Sequence, residues 1–163
     1  MEAPFTLARK VEEEFLKPTL EYFTSVETAG NELYIDVMLV LEGGDLDKIV
    51  SKLVNEAGLC LASEMPRGEA DYSYKAFRYD PKTGMAEVCR ISIRKDCTSM
   101  AVSFVVNLHE AREKLYDKMA ELYYTLYLVL RALQAAGAKV KTVRIACGLD
   151  PLNRVAAKTF EVQ

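Results

Sequence analysis

Between Asn107 and Gly137 the apolar residues fall at spacings of three and four. Leu115, Met119, Leu122, Leu126, Val129, Leu133 and Ala136 form one continuous stripe, which predicts a single long helix over 108–136. Asn107 suits the cap, Glu110 stands three residues on where a capping box needs it, and Gly137 suits a left-handed exit. Tyr116, Tyr123, Tyr127 and Leu130 widen the stripe. Tyr124, Leu128 and Ala132 then leave the C-terminal half apolar nearly all round, the pattern of a helix buried on more than one side. At about 1.5 Å per residue such a helix is about 40 Å long. Its second face needs a cover, either other helices of the same chain or a second copy of it. The second case makes Tyr124, Leu128, Arg131 and Ala132 the interface of a homodimer. The apolar run from Tyr123 to Leu133 is too short for a bilayer and contains Arg131, so no membrane partner is expected.

Upstream the period changes. Pro4, Leu7, Val11 and Phe15 predict a short helix that Lys17-Pro18 should end, because the residue before proline avoids the helical region. Leu20, Tyr22, Thr24 and Val26 then alternate with other residues up to Ala29-Gly30-Asn31, and Leu33, Ile35, Val37, Leu39 and Leu41 alternate beyond it. Together these predict a β-hairpin, with Tyr34, Met38 and Val40 marking its second strand as central. Gly43-Gly44-Asp45 turns into a helix that Asp45 caps and Gly58 ends, with Leu46, Ile49, Val50, Leu53 and Val54 facing inward. The two glycines offer no anion loop, since Asp45 already brings a negative charge to that helix start. Leu59 to Leu61 suggest a short strand, followed by a loop from Ser63 to Ala70.

The clearest β pattern runs from Asp71 to Leu108. A turn at Pro81-Lys82-Thr83-Gly84 would pair Asp80 with Met85, Arg78 with Glu87, Ala76 with Cys89, Tyr74 with Ile91 and Tyr72 with Ile93. A second turn at Asp96-Cys97 sets Ile93 against Met100, Ile91 against Val102 and Cys89 against Phe104. After Gly137, Val143, Ile145, Cys147 and Leu149 mark another strand. A turn at Asp150 to Asn153 leads to an edge strand over 154–162. The expectation is one α+β domain spanning 1–163. Its mostly antiparallel sheet, a hairpin plus a three-stranded meander, carries helices on one face, including one long late helix.

Composition narrows the function classes. Half of the 163 residues are apolar and 28% are charged, the balance of a folded globular chain. A net charge of -3 gives no overall attraction to nucleic acid or anionic lipid. The N-terminal residues lack an apolar signal core, so a cytoplasmic location is expected. Cys60, Cys89, Cys97 and Cys147 are scattered without a CxxC pair beside a single histidine, so neither a zinc site nor any other cofactor is expected. Few Asn and Gln among many charged residues give a thermophile-like bias, under which a disulfide becomes plausible; spacing does not choose among the three full pairings.

The meander register also fixes its other face. One row reads Lys75, Arg90, Ser103; the next reads Ser73, Ser92, Ala101; an outer row reads Asp71, Arg94, Ser99. Lys75 directly opposite Arg90 is a like-charge pair that an anion or a carboxylate would relieve. Lys75, Arg90, Arg94 and Ser103 are therefore the candidate anion site, for an anionic ligand or RNA, against the plainer alternative of a solvated face. His109, the only histidine, lacks a local nucleophile and should face solvent. Asp36 lies on an apolar strand and should be paired, with Arg144 one neighbour able to do so. An antiparallel sheet over a long late helix resembles in outline the helix-grip arrangement, which implies a small apolar ligand between the two layers. Strands after the helix depart from that outline. The residues thus point to a non-enzymatic binding or assembly module that self-associates through the long helix. An anion- or RNA-binding module on the basic sheet face and a small-ligand carrier between sheet and helix are the alternatives.

Overall fold

The computed structural model describes residues 3–26, 31–65 and 71–162. Its central element is β1 (Glu32–Glu42), whose inward residues Leu33, Ile35, Val37, Leu39 and Leu41 are all buried. β1 pairs antiparallel with β5 (Ser99–Asn107) from Glu32–Asn107 to Val40–Ser99. On its other side it pairs with β6 (Lys139–Gly148), with a register shift between Val40 and Leu41. The outer strands are β2 (Cys60–Glu64), β3 (Asp71–Asp80), β4 (Gly84–Arg94) and β7 (Ala156–Glu161). All seven are antiparallel, in the order β2-β3-β4-β5-β1-β6-β7. The architecture is the expected α+β layer, and β1 is central as its two-sided apolar pattern implied.

The predicted first hairpin does not form. The N-terminal segment is instead one helical run: α1 (Pro4–Val11), a π turn (Glu12–Leu16) and α2 (Lys17–Ser25). Pro18 has no amide hydrogen, and in a regular helix its ring would meet the carbonyl four residues back. The wide turn absorbs this, with the Lys17 amide donating to the Glu12 carbonyl five residues earlier. Its extra residue also keeps Leu7 and Val11 in phase with Leu16, Leu20 and Phe23, all of them buried. Tyr22, read from the sequence as a strand residue on the face of Leu20, is 61% exposed. Of the expected turn, Ala29 and Gly30 lie outside the described residues.

The long helix is divided. Asn107 caps α4 (Leu108–Glu113) by accepting from the Glu110 amide at 3.0 Å, as expected. At Lys114 the backbone leaves the helical region (φ -132°, ψ 52°), and α5 (Leu115–Ala135) starts afresh. Glu110 reaches forward across this break to Lys118, at 2.8 Å. Gly137 (φ 78°) ends α5 in the left-handed conformation its type favours. α3 (Leu46–Asn55), capped by Asp45 through the Asp47 amide, packs on α5, as do α1 and α2. Consequently Leu128 (7% exposed) and Ala132 (1%) are buried within a single chain, while Arg131 reaches Glu56 beyond α3 at 3.6 Å.

The meander holds the expected register from Tyr72–Ile93 to Ala76–Cys89 and loses it further out. There Phe77 faces Glu87, Arg78 faces Ala86 and Asp80 faces Gly84. Gly84 takes a left-handed conformation (φ 81°), which shortens the connection by one residue, and Val88 becomes the extra residue of a bulge. The expected Cys89–Phe104 pair is also absent: β4 and β5 pair only from Arg90–Ser103 to Ile93–Met100.

The burial of Leu128 yields a first prediction. Leu128→Glu places a charge inside the helix layer and should lower stability by more than about 3 kcal/mol in chemical denaturation. A variant with an unchanged midpoint would mean that this side of α5 is open.

Candidate functional site: a cleft where the sheet parts

Beyond the Arg90–Ser103 pair, β4 follows β3 and β5 follows β1, so the two strands separate. A cleft of about 530 Å³ opens there on the helix side, between the end of the β3–β4 hairpin, β5, and the helices α4 and α5. Phe104, Val106 and Leu122 supply its apolar wall; Arg78, Lys118 and Thr125 supply polar groups. Glu87, Val88, Phe104 and Val105 also line a groove of about 280 Å³ on the opposite face. The parting of the strands is thus open from both sides of the sheet.

Arg78 is the distinctive residue. By strand alternation it shares the inner face with Ala76, where a charged side chain needs a partner. Its guanidinium lies over the Tyr124 ring, 5.3 Å from the centroid, which orients the planar group. Its Nη2 is buried and, among the described residues, meets no hydrogen-bond acceptor. The Val88 bulge explains why. In the regular register Glu87 would have stood opposite Arg78; the extra residue turns Glu87 to the outer face, where its carboxylate lies 3.5 Å from Arg90. Arg78 is left opposite Ala86.

The neighbouring groups are better satisfied. Lys118 lies 2.8 Å from Glu110 and 3.3 Å from Glu121. Burial alone would lower the Lys118 ammonium, but the Glu110 hydrogen bond and the charges of Glu121 and Glu110 outweigh it and hold the value above the ordinary one. The same hydrogen bond holds the Glu110 carboxyl below its usual range. Burial pushes the Cys89 thiol up to about 12, against the opposing pull of the Arg78 charge. Thr125, 2% exposed, is one of the two buried polar residues among those described.

The residues singled out from sequence are distributed differently. Lys75, Arg90 and Ser103 share one row, as expected, and Arg94 stands two rows away. The opposed like charges are relieved by carboxylates of the chain itself: Arg90 lies near Glu87 and, at 4.0 Å, Glu64, while Arg94 pairs with Asp96 at 3.2 Å. Asp36 pairs with Arg154 at 2.6 Å, not with Arg144, and Arg154 also donates to the Asp150 and Pro151 carbonyls. Gly148 permits this clasp, since a Cβ there would fall onto the Asn153 carbonyl. His109 is exposed, with Glu113 3.8 Å away. Of the helix residues, Tyr124 is half exposed and lies under the Arg78 guanidinium. Arg78, Lys118 and Thr125 went unrecognised in the sequence. The one available signal was a charged residue in phase with inward Tyr74 and Ala76, and the expected pairing with Glu87 concealed it.

Among the described residues no group of three His, Cys, Asp or Glu side chains could hold a metal ion, and no helix is long and apolar enough to cross a membrane. All four cysteines are free: Cys60 is exposed, while Cys89, Cys97 and Cys147 are buried. A thiol reagent should therefore modify one cysteine per native chain, at Cys60, and the other three only after unfolding. Mass spectrometry of the labelled peptides checks this, and rapid native labelling of Cys89 would contradict its burial. The chain matches no family model, no curated protein and no solved structure, so the chemistry of this cleft is read from its own residues.

Proposed function

We propose that this protein is a non-catalytic module that binds a small anion-bearing molecule in the cleft between the β3–β4 hairpin and α5. The observation that carries this reading is the buried, unpartnered Nη2 of Arg78. Leaving such a donor without an acceptor costs about 1–3 kcal/mol, more for a charged group, and a carboxylate or phosphate bound at the guanidinium would offset that cost once a small side-chain movement uncovers Nη2. Tyr124 holds the guanidinium plane, as bidentate recognition of such a group requires. The cleft volume lies within the range of about 300–1,000 Å³ common for small-molecule sites. Cys89, the nearby thiol, is held protonated, which favours binding over nucleophilic chemistry.

The other readings draw less support. Self-association through the long helix would use Leu128 and Ala132, which the chain's own helices already cover. Anion or RNA binding on the sheet face would compete with the carboxylates beside Arg90 and Arg94.

Arg78→Met separates a ligand-binding arginine from a structural one. Without ligand the variant should be at least as stable as the wild type, because an apolar side chain replaces a buried donor that lacks an acceptor. Acetate or inorganic phosphate, compared with chloride at equal ionic strength, should raise the melting temperature of the wild type and not of the variant. A variant several kcal/mol less stable, with unchanged anion response, would overturn the reading.

A further inference from the structure

The charges around Arg78 narrow the ligand further, on the reading that the cleft binds an anion. The cleft wall carries two bases, Arg78 and Lys118, and four acids, Asp80, Glu87, Glu110 and Glu121. Three of the acids are engaged: Glu110 and Glu121 with Lys118, and Glu87 with Arg90. Asp80 differs. One of its oxygens accepts from the Lys82 amide at 2.7 Å, and among the described residues no basic side chain pairs with it. It stands two residues from Arg78 on β3, so both side chains leave the same face of the strand, about 7 Å apart along it. A simple anion would satisfy Arg78 and leave its other end beside an acidic rim. A ligand that also carries a cation would meet both charges.

The geometry points to a zwitterion whose carboxylate binds Arg78 and whose ammonium binds Asp80, with the connecting atoms against Phe104 and Leu122. A dipeptide carries both charges, and the cleft has room for it.

Calorimetric titration with glycyl-leucine, N-acetyl-glycyl-leucine and glycyl-leucine amide tests the assignment on the wild type, Arg78→Met and Asp80→Asn. The free dipeptide should bind the wild type at least about tenfold more tightly than either blocked form. Asp80→Asn should abolish its advantage over the acetylated form by weakening the free dipeptide, with the acetylated form binding no less tightly than to the wild type. Arg78→Met should abolish binding of the free and acetylated dipeptides. Equal binding of the free and acetylated forms, lost in Arg78→Met, would overturn the zwitterion and leave the anion site standing. If none of the three compounds binds the wild type and acetate or phosphate fails to stabilise it, both readings fall.

Discussion

The antiparallel pairing of β1 on both of its edges is the constraint on which the rest of the structure depends. Its five inward side chains, Leu33, Ile35, Val37, Leu39 and Leu41, are buried beneath the helices. Each contributes about 1.5–3 kcal/mol by leaving water, so together they rival the whole net stability of an ordinary domain. A slip of one residue would turn Asp36 and Tyr34 inward and lose that contribution, so the register of β5 and β6 is fixed with it. On the outer side the Asp36–Arg154 clasp ties the turn after β6 to the same strand.

The cleft follows from that constraint. β5 stays on β1 along its full length, while β4 must also accommodate the tight connection to β3. The left-handed Gly84 closes this connection one residue early, and the Val88 bulge makes up the difference. Bulges bend and twist a strand, and here β4 leaves β5 beyond the Arg90–Ser103 pair. The same extra residue carries Glu87 to the outer face and strips Arg78 of a carboxylate partner. One local irregularity thereby produces both the opening and the unsatisfied charge within it. Natural folds satisfy nearly all buried donors, and the proposed anion site rests on this one exception.

Much of this was legible in the sequence where the pattern is long and its period simple. The α5 stripe, the two-sided β1 and the inner half of the meander all rest on burial of one regular face. Three misreadings share a cause, a break in period by a single residue. Pro18 would end a regular helix, but the π turn at Glu12–Leu16 supplies the extra residue that lets it continue. Lys114 interrupts the long helix without a glycine or proline to announce it. The Val88 bulge changes the partner of Arg78 and has no composition of its own. Burial of Leu128 and Ala132 depends on where α1 and α3 come to rest, which is tertiary information absent from a helical stripe.

Arginine side-chain nitrogen resonances, followed during titration with acetate, distinguish binding at Arg78 from binding on the sheet face, because they report each guanidinium separately. The Arg78 signal should shift and saturate while those of Arg90 and Arg94 stay nearly still, since their neighbouring carboxylates already engage them. Saturable shifts at Arg90 and Arg94 with none at Arg78 would contradict binding at Arg78, and would move the binding surface to the open face of the sheet.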